Sequence, residues 1–183
     1  GKILIDEYEL SKVNLESYYN NIAYIPQESS IFNGTLRENI VFNKNIDDQK
    51  IIDVLYKVEL FNLYNKLENK LDTELGEKGV SLSGGERQRV ALSRLYFSKA
   101  QIVVLDEATS AIDNLTVEKV MNSIMDLLKE KTIIAIAHNL DSIKNFDKII
   151  ALKNGKIIGQ GTFYELLENN LYFKDLYYSN VKS

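Results

Sequence analysis

The sequence contains no cysteine, no tryptophan, one histidine and one proline among its 183 residues. The absence of cysteine excludes disulfide bonds, thiolate zinc sites and a thiol nucleophile. The single histidine, His138, excludes metal sites built from several imidazoles. The single proline, Pro26, leaves no proline-rich linker that would mark a domain boundary. Several common classes of catalytic and metal-binding protein are therefore excluded.

The sequence also lacks a basic excess and a long apolar run. It has 22 Lys and Arg against 26 Asp and Glu, a formal net charge of −4, so we expect no nucleic-acid partner. Its apolar runs, such as residues 133–137, are far shorter than the roughly 18 residues of a membrane span. With 45% hydrophobic residues it can bury a core. Because it starts at Gly1 without a signal-type segment, we expect one globular unit from inside a longer protein.

Short β-branched runs between polar residues predict buried strands. The predicted strands are residues 2–5, 22–25, 102–105, 132–137 and 148–152. A helix predicted over residues 116–129 lies between two of them, and such a βαβ unit implies parallel pairing. Asn154 and Gly155 between two apolar runs predict a hairpin turn. The predicted fold class is α/β.

Two regions have a helical pattern. In residues 35–98 apolar side chains recur at helical spacing without a comparable strand run, which predicts a helical insert. Residues 162–178 predict a helical pair that covers apolar surface. The expected organisation is a partial core over 1–34, a helical subdomain over 35–98, and the rest of the core with C-terminal helices over 99–183.

The strand at residues 102–105 ends in two carboxylates, Asp106 and Glu107. They place hard oxygen ligands at the carboxyl end of a strand, where ligand sites form in α/β proteins. A solvated strand end explains the pair equally well when it is considered alone.

Residues 82–89, LSGGERQR, predict the start of a helix upstream of that strand. A serine hydroxyl, open backbone N–H groups and the positive end of the helix dipole suit a phosphate. A capping box of Ser83 with Glu86 would account for the helix start alone. It would not require two glycines, Gly84 and Gly85, which are costly to order, so phosphate binding is the favoured interpretation.

Together these motifs resemble the nucleotide-binding domain of an ATP-binding cassette (ABC) transporter. Residues 82–86 are similar to its signature, and residues 105–113, LDEATSAID, to its Walker B strand and D-loop, with Ile112 where Leu is usual. Residues 24–27, YIPQ, are similar to its Q-loop, and residues 136–138 to its switch histidine. The resemblance covers essentially the whole chain.

The resemblance implies a P-loop NTPase-like ABC ATPase core, a mostly parallel sheet flanked by helices, with an inserted helical subdomain and missing N-terminal strands. No Gly-x-x-x-x-Gly-Lys-Ser/Thr phosphate loop occurs in the sequence. In the family this Walker A loop precedes the strand at Ile3, so we expect the chain to begin after it. Losing three charge-assisted hydrogen bonds would weaken ATP binding on the order of a thousandfold. We expect the chain alone to bind ATP negligibly and to hydrolyse none.

For the complete protein the resemblance implies ATP and Mg²⁺ as ligands. Asp106 would hold Mg²⁺, directly or through water, and Gln27 would sense Mg²⁺ and the attacking water. Glu107 would act as general base, and His138 would contact the γ-phosphate.

The resemblance also implies a site shared between two nucleotide-binding domains, in a homodimer or a heterodimer. Ser83, Gly84 and Gly85 would meet the γ-phosphate of ATP bound by the second domain. Asp113, in the D-loop, belongs to the same nucleotide-binding set.

Two segments are similar to exporters in particular. Residues 73–79, TELGEKG, resemble the exporter loop that contacts the membrane domain, and residues 32–40 resemble the exporter sequence after the Q-loop. Glu74, Glu77 and the Gln27 region would therefore face transmembrane domains, at the cytoplasmic face of the cell membrane. The transported substrate stays open.

Two other classes of protein stay open as alternatives. One is a non-catalytic ABC subunit that donates its signature to a full-length partner. The other is a soluble ABC ATPase that acts on ribosomes or DNA, against which the negative charge and the exporter-like loop argue.

Overall fold

The computed structural model describes residues 1–77, 79–137 and 140–181. The chain divides into two compact units, Gly1–Ile136 and Ala137–Ser183. The predicted limits at residues 34 and 98 stay a prediction. Within the described ranges, no helix combines the length and the apolar character that a membrane span needs.

The first unit alternates strands with helices. It begins with β1 (Leu4–Ile5), β2 (Tyr8–Glu9), α1 (Leu15–Asn21) and β3 (Ile22–Ile25). It continues with β4 (Gly34–Thr35), α2 (Leu36–Val41), α3 (Asp48–Lys57), α4 (Phe61–Lys66), β5 (Glu74–Leu75) and α5 (Gly84–Ser93). It ends with β6 (Ile102–Asp106), α6 (Asn114–Leu128) and β7 (Thr132–Ile136).

A three-stranded parallel sheet, in the order β3-β6-β7, forms the centre of this unit. Helix α6 connects β6 to β7 and buries Val120 and Ile124 in one apolar cluster with Val103 and Leu105 of β6. The predicted strands and the predicted βαβ unit are confirmed to within two residues at each end. The burial predicted for residues 2–5 is wrong, because Ile3 and Leu4 are 65% and 60% exposed. The α/β class is confirmed with them.

The two faces of this sheet differ in exposure. Val103 and Leu105 are buried on the face toward α6. On the opposite face Tyr24, Ile134 and Ile136 are 56%, 53% and 53% exposed. Alternate residues of a strand point to opposite faces, so the exposed residues form one apolar surface on the sheet.

Helices α2, α3 and α5 contribute Leu36, Ile51, Leu55 and Val90 to a separate apolar cluster. The helical character predicted for residues 35–98 is confirmed. The sequence did not predict the antiparallel pair β4 and β5, because strands of two residues contain no apolar run.

At the amino end, only Leu4–Ile5 of the predicted strand 2–5 is extended, and it pairs with Tyr8–Glu9. Asp6 in the turn has a φ of 53°, in the left-handed region that aspartate tolerates. This hairpin was not predicted because its turn lacks glycine.

The second unit consists of β8 (Ile149–Lys153), β9 (Lys156–Gly161), α7 (Phe163–Asn169) and α8 (Leu171–Val181). Strands β8 and β9 form the predicted hairpin, with Asn154 and Gly155 at positive φ in its turn. The two helices bury Phe163 and Phe173, which confirms the predicted helical pair.

Candidate functional site

The two carboxylates at the end of β6 lie where that strand meets its neighbour β7. Asp106 is the last residue of β6. Glu107 has a φ of 48°, and its N–H donates to the carbonyl of Ile136 at 2.9 Å. A left-handed glutamate is uncommon, and residues held in this way concentrate at functional sites. The backbone thus holds Glu107 in a fixed position at the end of β6.

Gln27 lies beside Glu107 because β3 and β6 are parallel neighbours whose carboxyl ends share one edge of the sheet. The Gln27 Nε2 donates to the Glu107 Oε2 at 2.6 Å. A hydrogen bond to an ionised carboxylate is shorter and stronger than a neutral one. The structure therefore brings together two of the predicted site residues.

Tyr24, on β3, adds a contact that sequence reasoning missed. Its hydroxyl donates to the Asp106 Oδ2 at 2.9 Å, and this hydrogen bond raises the pKa of Tyr24. Nothing in the pattern of an apolar strand distinguishes a tyrosine that contacts a neighbouring carboxylate.

Ser83 is the N-cap of helix α5 and forms the predicted capping box. Its N–H donates to the Glu86 Oε2 at 2.8 Å, and the Glu86 N–H donates to the Ser83 Oγ at 3.3 Å. Burial by itself raises the pKa of Glu86, but hydrogen bonds from Ser83 and the charge of Arg89 outweigh it. The pKa of Glu86 therefore lies below its ordinary value.

Gly84 and Gly85 let the start of α5 approach the segment after β6. A Cβ on Gly85 would lie 2.8 Å from the carbonyl oxygen of Ala111, and one on Gly84 would lie 3.2 Å from the Ala111 Cβ. Close packing within the chain therefore requires glycine at residue 85 and leaves little room for a side chain at residue 84. A phosphate ligand and a simple cap are the two reasons for the pair that the sequence pattern suggests, and neither includes this packing.

Gln88 is a second residue that sequence reasoning missed. Its side chain is 3% exposed, and its amide contacts Gln27, Ser110 and Ala111. The signal was present, because Gln88 lies three residues after Gly85 and four before Leu92, on the buried side of α5. A polar residue on such a stripe requires hydrogen-bond partners.

Asp113 caps helix α6 by accepting from the Thr116 N–H at 3.0 Å. Hydrogen bonds from the Thr116 side chain and backbone hold its pKa below the ordinary value. A cap accounts for this aspartate locally, and its predicted part in nucleotide binding stays a prediction. His138 lies outside the described residues, so its predicted role also stays a prediction.

A groove of about 660 Å³ separates the segment after Gln27 from the loop before α5. Phe32, Asn33, Glu77 and Arg87 are among the residues that line it. The Asn33 Oδ1 accepts from the Glu77 N–H at 3.0 Å, which ties the two exporter-like segments together. Glu74, in β5, is exposed.

The residues at the sheet edge fit a magnesium ion that is shared with a phosphate group. Among the described residues, no three Asp, Glu or His side chains are close enough to hold a metal by themselves. Mg²⁺ bound with a nucleotide needs only one or two carboxylates, because phosphate oxygens and waters complete its octahedron. Asp106, assisted by the Gln27 amide, supplies donors of this kind.

A parallel sheet with acidic and amide side chains at its carboxyl edge, where α/β proteins bind their ligands, is typical of nucleotide-binding α/β domains. The family model described as "ABC transporter" matches residues 1–110. The chain belongs to the ABC transporter family.

Two relatives of this chain are a transporter and a flippase. It is 41% identical over 172 residues to the mitochondrial iron-sulfur clusters transporter ATM1 of Debaryomyces hansenii, covering 92% of this chain and 25% of that protein. It is 36% identical over 182 residues to the ATP-dependent lipid A-core flippase of Alcanivorax borkumensis, covering 98% of this chain and 31% of that protein.

A solved structure has the same fold. A bacterial Atm1-family ABC exporter with ATP bound superposes with a TM-score of 0.90 at 30% identity, over 99% of this chain and 32% of that one. The ABC ATPase fold is therefore confirmed. The chain spans about a third or less of the length of these relatives.

Proposed function

We propose that the chain forms part of the ATP-hydrolysing domain of an exporter, and that ATP hydrolysis there powers the export of a substrate across a membrane. The hydrogen bond from Gln27 to Glu107, beside Asp106, is the observation that carries this proposal. An amide and two carboxylates therefore lie at one sheet edge, where they suit the two tasks of phosphoryl transfer to water, which are holding the metal ion and positioning the water. The similarity to a transporter and to a flippase favours transport over the soluble alternative.

In this proposal the residues at the sheet edge share the work of binding Mg²⁺ and activating water, and Gln27 contributes to both. Asp106 holds Mg²⁺ with the nucleotide phosphates, and the Tyr24 hydroxyl keeps one oxygen of that carboxylate in place. Glu107, oriented by Gln27, accepts a proton from the water that attacks the γ-phosphate. His138 contacts the γ-phosphate. The products are ADP and phosphate.

The site is completed by a second nucleotide-binding domain. Ser83, Gly84 and Gly85 offer a hydroxyl and N–H groups to the γ-phosphate bound by that domain, and Asp113 belongs to the same interface. Since the 183 residues contain no Gly-x-x-x-x-Gly-Lys-Ser/Thr motif, we propose that they hydrolyse no ATP by themselves.

The transmembrane domains dock at the groove that contains Asn33 and Glu77, with Glu74 beside it. This places the chain at the cytoplasmic face of the membrane. The hydrogen bond from Glu77 to Asn33 supports the placement, because it joins the segment after Gln27 to the loop before the signature.

The test is Glu107→Gln in the complete protein that contains this chain. The amide keeps the size of the side chain and loses its basicity, so we expect turnover to fall by at least about a hundredfold. MgATP binding should be retained, since the phosphate contacts are unchanged. Steady-state ATPase rates and equilibrium nucleotide binding measure the two effects.

The matched control is Glu118→Gln, which makes the same change on an exposed part of α6. Its turnover should equal that of the wild type. Wild-type turnover in Glu107→Gln would contradict the assignment of Glu107 as general base.

A further inference from the structure

The Gln88 amide group joins three segments of the first unit. Its Nε2 donates to the Gln27 carbonyl oxygen and to the Ser110 Oγ, each at 3.1 Å. Its Oε1 accepts from the Ala111 N–H at 2.9 Å. A glutamine amide has an NH₂ group with two N–H donors and an oxygen that accepts. In Gln88 both the NH₂ group and the oxygen are hydrogen-bonded.

The partners also determine which way the amide points. The Gln27 carbonyl can only accept and the Ala111 N–H can only donate, so the reversed amide would lose both bonds. Because Gln88 is 3% exposed, solvent cannot easily replace those partners. The connection is therefore specific to the shape and chemistry of glutamine.

Gly85, one turn earlier in α5, also contributes to the contact between this helix and Ala111. It leaves room for the Ala111 carbonyl, which a Cβ at residue 85 would approach within 2.8 Å. Ala111 is thus held through its carbonyl side by packing and through its N–H by Gln88.

We propose that Gln88 is a positioning residue, which holds the backbone of Gln27 and the Ser110–Ala111 segment in fixed register with helix α5. This inference rests on the proposed function, because it gives Gln88 the task of aligning Gln27, and through Gln27 the Glu107 carboxylate, with the signature helix. A change at α5 then reaches the Glu107 carboxylate through the Gln88 side chain and through Gln27.

The test compares Gln88→Met with Gln88→Glu in the complete protein. Methionine keeps the length of the side chain and removes every hydrogen bond. We expect kcat to fall about tenfold to a hundredfold, while KM for MgATP changes by less than about threefold. Hydrogen–deuterium exchange at Ala111 should become faster.

Gln88→Glu keeps an acceptor for the Ala111 N–H. It also places a carboxylate, which cannot donate a hydrogen bond, against the Gln27 carbonyl oxygen. We expect exchange at Ala111 to stay slow while kcat falls, which a general loss of stability would not produce. The Gln88→Glu variant also tests the proposal if Gln88→Met does not fold. The matched control is Gln49→Met, which removes an exposed hydrogen bond to Asp53 and should leave kcat, KM and exchange at Ala111 unchanged.

Wild-type kcat in folded Gln88→Met, or a loss of kcat in Gln88→Met with slow exchange at Ala111, would overturn the inference. Wild-type kcat in Gln88→Glu would also overturn it. Failure of the proposed function is a different result, namely a wild-type protein whose ATPase activity does not depend on Glu107.

Discussion

Helices α5 and α7 both begin with a capping box, Ser83 with Glu86 and Thr162 with Glu165. Helix α7 continues with an aromatic pair, of which Phe163 is buried and Tyr164 is exposed. Helix α5 continues with two glycines, packed against Ala111. A cap is thus a local feature that any helix can have. The glycine pair occurs only in α5 of these two helices, and α5 is the one whose start is packed closely against another segment.

The largest effect in this comparison is expected from Gly85→Ala. The new Cβ would meet a backbone oxygen at 2.8 Å, so α5 or the Ala111 segment must shift. We expect a loss of about 1–3 kcal/mol in the free energy of unfolding, with reduced ATPase activity in the complete protein. Denaturant unfolding and ATPase assays measure the two losses.

Two variants serve as comparisons for the stability loss in Gly85→Ala. Gly84→Ala places its Cβ 3.2 Å from a side-chain atom, so its loss should be smaller. Tyr164→Ala changes the matching position of α7, which is 70% exposed, and should cost about 0.5 kcal/mol or less. A Gly85→Ala protein as stable as the wild type would refute the packing argument.

An intermediate effect is expected from the two caps. Ser83→Ala and Thr162→Ala each remove a side-chain acceptor from a helix start, which should cost about 1 kcal/mol of unfolding free energy in both cases. Only Ser83→Ala should also reduce the ATPase activity of the complete protein, because only that hydroxyl is proposed to meet phosphate. Equal loss of activity per folded molecule in Thr162→Ala would contradict the distinction.

The smallest effect concerns acid stability. Hydrogen bonds from the Thr162 backbone and hydroxyl lower the pKa of Glu165, as those from Ser83 help to lower the pKa of Glu86 against its burial. A carboxyl whose pKa is lowered in the folded state stabilises the fold at neutral pH, and this contribution disappears as pH falls through the folded pKa.

Glu86→Gln and Glu165→Gln should therefore each flatten the fall of the thermal midpoint between neutral and acidic pH. Glu118→Gln makes the same charge change on an exposed face of α6, and its pH dependence should follow that of the wild type. If the thermal midpoint of both cap variants falls between neutral and acidic pH as it does in the wild type, these hydrogen bonds do not favour the ionised carboxylate.

The cap of helix α5 and the parallel strands could be predicted because their signals are local. Ser83 and Glu86 are three residues apart, and the strand at Ile102–Asp106 is a continuous apolar run that ends in acids. The hairpin turn at Asn154 and Gly155 has the same local character.

The contacts of Tyr24 and Gln88 could not be predicted in the same way. Tyr24 reaches Asp106 across 82 positions of sequence, and Gln88 reaches Gln27 across 61. Such contacts depend on strand register and on how close a helix lies to a loop, and neither quantity is encoded in a short motif.

The sequence by itself determined the α/β class, the start of helix α5 and the resemblance that led to the ABC transporter family. These follow from spacing, apolar periodicity and short motifs, which act over one or two turns of chain. Only the tertiary structure decided that Gln27 bonds to Glu107, and that Gly85 and Gln88 hold Ala111. The physical reason is that hydrogen bonds and close packing depend on tenths of an ångström between segments far apart in sequence, and folding alone sets those distances.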